Sequence, residues 1–253
     1  MSNELILAIS GNDIFSGGGL HADLATYTTN KQHGFVAVTC LTAMTEHGFE
    51  VIPVDPTTFA QQLNSLKDVP FSAIKLGLLP NVEVADLALD YVKAHAEIPV
   101  VLDPVLVCKE SHDVEVSALR DELITFFPYV TIITPNLPEA EILTQSKIQS
   151  LDDMKAAARK LHELGAANVV VKGGNRLNKE KAIDVFYDGT DFTVIEEPVL
   201  EKNNTGAGCT FASSISSQLV QGKSPLEAVK ASKDFVFQAI QHSDQYGVVQ
   251  YDI

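Results

Sequence analysis

Leu5-Ile6-Leu7-Ala8-Ile9-Ser10 runs directly into Gly11-Asn12-Asp13-Ile14-Phe15-Ser16-Gly17-Gly18-Gly19. Leu5 to Ile9 are apolar on both faces of an extended chain, as in a central strand covered by helices on either side. A glycine-rich loop follows, then a stretch over residues 22–32 that reads as a helix. Further short apolar, β-branched runs predict strands over 35–40, 73–76, 100–102, 130–134, 168–172, 182–187 and 192–197. Helices are expected between them over 56–67, 81–95 and 151–164. Two more should fill 210–241, divided at Gly222-Lys223-Ser224-Pro225. Asp188-Gly189 supplies a hairpin turn between the last two strands. Alternating strands and helices with right-handed crossovers imply a doubly wound α/β sheet. No repeat, low-complexity tract or linker interrupts residues 1–253, so a single domain is expected.

The composition narrows the function classes. Hydrophobic residues make up 45% of the chain and charged residues 20%, which supports a packed core rather than disorder. A net charge of −15 disfavours nucleic acid and anionic membrane as partners. An anionic cosubstrate must then be met locally, by backbone amides, a metal ion and a few lysines. No cationic apolar leader opens the chain and no apolar run is long enough to span a bilayer. The three cysteines are odd in number and lack disulfide or zinc spacing, which points to the reducing cytoplasm.

In a doubly wound sheet, ligands bind beyond the C-terminal ends of the strands. Four clusters stand there. In the first loop, three consecutive glycines ending at Gly19 permit close backbone approach, and Asp13 can accept from a hydroxyl. A flexible connection is the plainer alternative; neither a Walker loop nor a dinucleotide fingerprint is present. Asp103, in Asp103-Pro104-Val105, is either a metal or hydroxyl partner or a turn cap. Asn136 and Glu139, in Thr134-Pro135-Asn136-Leu137-Pro138-Glu139, can support a hydrated magnesium ion or form a capping box. Asn204-Thr205-Gly206-Ala207-Gly208-Cys209-Thr210 opens a helix with accessible N–H groups, suited to an anion. The positive helix end is expected to lower the pKa of Cys209. Lys172-Gly173-Gly174 adds a cation and a tight turn.

Taken in order, these clusters resemble the ribokinase-like kinases of vitamin B1 and B6 metabolism, in the hydroxymethylpyrimidine kinase branch. The family motifs correspond to Ala22-Asp23-Leu24, Asp103-Pro104-Val105, Thr134 to Ala140, Lys172-Gly173-Gly174 and Gly206 to Thr210. They are collinear from residue 5 to about 240. The resemblance implies a three-layer α/β/α ribokinase-like fold with a mostly parallel central sheet, ATP and Mg2+ as ligands, and a homodimer. It places Asn136, Glu139 and Asp103 at the metal. Lys172, Asn136, Glu139, Thr205, Gly206 and Gly208 fall at the nucleotide. Gly206, Ala207, Gly208 and Cys209 form the anion hole, with Cys209 where other ribokinase-like enzymes carry an Asp base. Asp13, Gly19, Met44, Val107 and Cys108 fall at the substrate.

Several departures from the branch bear on the substrate. Where the branch carries Leu-Thr-Ala-Gln, this chain has Leu41-Thr42-Ala43-Met44, and a thioether cannot replace an amide's hydrogen bonds to an aminopyrimidine. Leu76 and Pro80 also differ, and Thr205 stands where a His is common. A second cysteine in Val107-Cys108-Lys109, with Cys209, resembles the dual-cysteine pyridoxal kinases of Gram-positive bacteria. A thiol at 108 can add reversibly to the aldehyde of pyridoxal, giving a hemithioacetal. The expectation is therefore an ATP-dependent kinase acting on the hydroxymethyl group of pyridoxal or pyridoxine. Its rivals are a hydroxymethylpyrimidine (phosphate) kinase and a non-catalytic nucleotide or metabolite sensor.

Overall fold

The structure is a computed structural model and describes residues 4–106 and 113–250. In chain order the elements are β1 (Leu5–Ser10), α1 (Gly19–Thr29), β2 (His33–Val38), β3 (Cys40–Thr45), β4 (Gly48–Pro53), α2 (Pro56–Ser65), β5 (Ala73–Leu76) and α3 (Val82–Lys93). They continue with β6 (Val100–Leu102), α4 (Asp113–Thr125), β7 (Ile132–Ile133), α5 (Leu137–Thr144), α6 (Leu151–Glu163), β8 (Val169–Lys172), β9 (Lys181–Tyr187), β10 (Phe192–Pro198), α7 (Ala207–Val220) and α8 (Pro225–Gln241).

Eight of the described strands form one sheet in the order β10-β9-β8-β7-β6-β5-β1-β2. All its pairings from β2 to β8 are parallel, while β9 runs antiparallel to both β8 and β10. Side-chain alternation sorts the sheet into two cores. Leu7, Ile9, Ile74, Leu76 and Leu102 pack with α2 to α6 in one layer. Ile6, Ala8 and Ala73 meet α1 on the other face, and Val101, Ile132 and Val170 meet α7 and α8 there. The expected three-layer α/β/α arrangement is present. Phe59 of α2 is fully buried, a burial that contributes roughly 1.5–3 kcal/mol. Among the described residues no helix is long and apolar enough to cross a membrane.

The fold departs from the expected elements in several places, with α7 starting at Ala207 rather than residue 210 among them. Helix α1 starts at Gly19 rather than residue 22, because Gly18 takes the extended N-cap conformation three residues earlier. The β3–β4 hairpin was not expected. It forms a separate two-stranded sheet turning at Gly48, whose φ is +110°. Helix α4 was also missed, since its sequence lacks a clear apolar stripe.

Candidate active site

The parallel strands end on one edge, and the residues after them converge there. The Gly11–Gly19 loop leaves β1 and is fastened from two sides. The Ile14 amide donates to Thr42 Oγ1 of the hairpin (2.9 Å), and the Phe15 and Gly18 amides donate to the Asp13 carboxylate (3.0 and 2.8 Å). Gly19 has φ +55°, and a Cβ there would lie 2.3 Å from the Gly11 carbonyl oxygen.

The start of α7 docks onto this loop. Gly206 caps the helix with φ +84° and offers no side chain, so the first-turn N–H groups are not capped by one. A Cβ on Gly206 would fall 1.6 Å from the Gly17 carbonyl oxygen, so backbone touches backbone. The Gly19 amide donates to Cys209 Sγ (3.4 Å). A Cβ on Gly18 would meet Asp13 Oδ2 at 3.6 Å and Cys209 Sγ at 3.7 Å, so carboxylate and thiol both border the space that this glycine leaves open.

The charge of Cys209 departs from expectation. Burial pushes the thiol up, against a downward pull from Lys75 and the Gly19 amide, and Asp23 and Asp103 push it further up. The expected lowering at the helix end is therefore corrected: desolvation and two buried carboxylates outweigh it in the ligand-free protein.

On the other side of the α7 N-terminus lie the polar ends of β6, β7 and β8. Asp103 Oδ1 accepts from Lys172 Nζ (2.8 Å) and from Thr134 Oγ1 (2.7 Å). Burial disfavours the Lys172 charge, but Asp103 and Glu139 hold the ammonium above its usual range. A Cβ on Gly208 would lie 3.4 Å from Lys172 Nζ, which brings this charge to the mouth of the amide turn. Asn136 and Glu139 form a capping box on α5, with Glu139 N donating to Asn136 Oδ1 (3.0 Å) and Asn136 N to Glu139 Oε2 (2.8 Å). The cap alternative is thus realised. Glu139 is nonetheless buried at the site, and burial pushes its carboxyl up to about 7, against Lys172 and with Asp103.

From Lys172 a cleft of about 370 Å3 runs past Gly173 and Gly208 to Val199, Phe237 and Ile240. Its volume suits a small-molecule ligand, with an apolar end for a ring and a polar end for phosphates. Asn204 lines it, whereas Thr205 is exposed and donates its N–H and hydroxyl to Asn203 Oδ1 (3.0 and 2.8 Å). Met44 is 60% exposed on β3. It shares a face with Thr42, which binds the glycine loop, and lies opposite Phe49. Val107 and Cys108 lie outside the described residues.

Sequence reasoning missed two charged pairs. Lys233 Nζ donates to Asp184 Oδ2 (2.6 Å), and Asp184 Oδ1 accepts from the Gly173 amide (3.1 Å), so this pair buttresses the cleft it lines. Lys75 and Asp23 pair behind Cys209. The signal was a charged residue inside a buried apolar strand, as in Ala73-Ile74-Lys75-Leu76 and Ile183-Asp184-Val185, because such a charge demands a partner.

The comparisons with known proteins bear on the family and the fold. The family model described as phosphomethylpyrimidine kinase matches residues 13–252. The chain belongs to that kinase family. It is 39% identical to the pyridoxine kinase of Bacillus subtilis (strain 168), over 96% of this chain and 92% of that one. Pyridoxal kinase from Staphylococcus aureus, solved in complex with AMP-PCP and pyridoxal, superposes with a TM-score of 0.91. The two chains share 33% identity over 99% of this chain and 94% of that one. Phosphomethylpyrimidine kinase from Clostridium difficile 630 superposes with a TM-score of 0.79, at 31% identity over 94% of this chain and 100% of that one. The ribokinase-like resemblance and its α/β fold are borne out.

Proposed function

We propose that the chain, as a single kinase domain, transfers the γ-phosphoryl group of ATP to the 5'-hydroxymethyl oxygen of pyridoxal or pyridoxine, a salvage step for vitamin B6. One observation carries the reading: the Cys209 thiol sits between the substrate-side loop and the uncapped amides of α7, with Lys172 beside Gly208. The closer superposition on a pyridoxal kinase than on a phosphomethylpyrimidine kinase supports the choice of substrate.

In this reading the cleft takes ATP, with its base at the Val199 and Phe237 end and its phosphates at Lys172 and Gly208. The alcohol lies on the Asp13, Gly19 and Met44 side. Its oxygen forms the new bond to the γ-phosphorus, the bond to the β–γ bridging oxygen breaks, and ADP leaves. Cys209 Sγ takes the alcohol proton. The amides of Gly206, Gly208 and Cys209, together with Lys172, stabilise charge on the equatorial oxygens, while the Ala207 amide holds the turn by donating to the Asn204 carbonyl (3.0 Å).

Asp103, Glu139 and Asn136 offer hard oxygen donors, and among the described residues no group of three or more acidic, His or Cys side chains is arranged to hold a metal. That suits Mg2+, which takes one or two carboxylates and completes its shell with phosphate and water. When bound there, the ion supplies neutralisation of phosphate charge.

We assign the enzyme to the cytoplasm, where a catalytic thiol stays reduced. We also assign it a homodimeric state. Leu41 and Ile52 pair on the hairpin face opposite Thr42 and Met44, both about half exposed, and provide an apolar surface for a second copy.

Phosphorylation assayed in parallel with pyridoxal, pyridoxine and the aminopyrimidine alcohol tests the reading. Preferential turnover of the B6 vitamers supports it, preference for the aminopyrimidine replaces it, and no ADP from any of the three leaves a non-catalytic sensor. Met44→Gln restores an amide at the hairpin. It is expected to raise kcat/KM for the aminopyrimidine by roughly tenfold relative to pyridoxine. The hemithioacetal assigned to Cys108 is tested by Cys108→Ala, which is expected to lower kcat/KM for pyridoxal about tenfold and leave pyridoxine unchanged. Equal, unaffected turnover of both vitamers removes that role.

A further inference from the structure

Lys75 is fully buried in the middle of β5, and the mechanism above makes no use of it. Alternation turns Ile74 and Leu76 to the α2–α6 layer and Lys75 to the α1 and α7 layer. There its ammonium donates to Asp23 Oδ1 of α1 (2.8 Å), and Ser213 Oγ of α7 donates to the same oxygen. Asp23 Oδ2 has no hydrogen-bond partner among the described residues, so the pair is held by one oxygen only.

The ammonium also reaches toward the ligand-binding edge of the sheet. A Cβ on Gly77, just past β5, would stand 2.9 Å from Lys75 Nζ and 2.4 Å from Ser10 Oγ, so a side chain at 77 would close the space it occupies. Ser213 lies four residues after Cys209 on α7, hence one turn below it on the same helix face. The buried cation and its carboxylate thus stand directly behind the thiol, anchored to three different elements.

We infer that Lys75 is a positioning residue for phosphoryl transfer: a buried cation, fixed by Asp23, that keeps part of Cys209 as the thiolate, ready to take the alcohol proton. This rests on the reading of Cys209 as the base. The charged groups around the thiol on every packed element are Lys75 from β5, Asp23 from α1, Asp13 from the glycine loop, Asp103 after β6 and Lys172 from β8, with Tyr27 of α1 behind the pair. Lys75 exerts the strongest of the downward pulls on the thiol, greater than the opposing push of Asp23. The cation end of the pair therefore dominates at Sγ. Burial disfavours the Lys75 charge, but the Asp23 and Asp103 carboxylates hold it above its usual range, so the cation persists at neutral pH.

The bland alternative is a buried staple between α1 and β5, worth stability and nothing more. Iodoacetamide alkylation of Cys209, read by peptide mass spectrometry from about pH 7 to about pH 11, separates the two. Lys75→Met is expected to raise the midpoint of alkylation by about one unit, a tenfold smaller thiolate fraction below it. It should also lower kcat about tenfold while KM for ATP and alcohol stays within about twofold. Since Lys75→Met alone strands the Asp23 charge, Lys75→Met/Asp23→Asn keeps volume and the Ser213 contact and is expected to fold with a raised midpoint. Lower thermal stability with an unmoved midpoint in both variants overturns the inference and leaves the staple. Near-normal turnover of Cys209→Ala overturns the base reading instead, whatever the midpoint does, and with it the catalytic purpose of Lys75.

Discussion

Cys209→Ala is expected to lower kcat about 10²- to 10⁴-fold, with little change in KM for ATP. The expectation follows from what the variant leaves in place. The Gly206 turn, Lys172 and the cleft wall do not depend on the thiol, so nucleotide binding persists. What disappears is the proton acceptor at the end of the Gly19 N–H contact, 3.7 Å from a Gly18 Cβ position that the Asp13 carboxylate also borders.

The pH dependence carries a second signature. The thiol is held above its ordinary range in the free protein, so it is protonated near neutrality and its thiolate fraction grows as pH rises. Wild-type kcat/KM should therefore climb through the alkaline range, and the climb should vanish in Cys209→Ala. Steady-state kcat and kcat/KM for one vitamer, measured across pH, decide the matter. Turnover of the alanine variant within about threefold of wild type excludes Cys209 as the base.

Gly206→Ala is expected to be nearly as damaging, for a purely steric reason. Its φ of +84° already costs a side chain about 1–2 kcal/mol, and the added Cβ would lie 1.6 Å from the Gly17 carbonyl oxygen. The obstacle is backbone, so no rotamer relieves it. The glycine loop and the α7 N-terminus must separate by more than an ångström, which pulls the Gly19 amide from Cys209 and misplaces acceptor and phosphate amides together. A displacement of that size costs about 10²-fold in kcat. Gly222→Ala is the matched control: it has φ +87° but nothing within 4 Å of a Cβ, so it should lose stability without losing turnover. Equal kinetics for the two variants, measured with melting temperatures, defeat the claim that this contact sets the geometry.

Much of the site was legible in the sequence. Asp103, Asn136, Lys172 and Cys209 each follow an apolar run or open a helix, and the wound sheet gathers such positions on one edge. The fold was legible for the same reason, since Leu7 and Ile9 alternate with Ile6 and Ala8 between two cores. The β3–β4 hairpin was not. Cys40 and Thr42 are buried on one face of β3, but that face ends in exposed Met44 and Phe49, and the other face carries half-exposed Leu41 and Ile52, so apolar residues do not alternate with polar ones along it.

By itself the sequence determined the order of strands and helices, the glycine positions and the set of polar groups available for phosphoryl transfer, because all of these are local properties of residue type and spacing. Tertiary structure alone decided how those groups meet. It buried the capping-box Glu139 within electrostatic reach of Lys172 and Asp103, turned Asn204 rather than Thr205 to the cleft, and brought Lys75 of β5 and Asp23 of α1 together behind Cys209. It also reversed the expected charge of that thiol. The pKa of a buried group depends on which distant carboxylates and cations share its cavity, and no spacing along the chain records that.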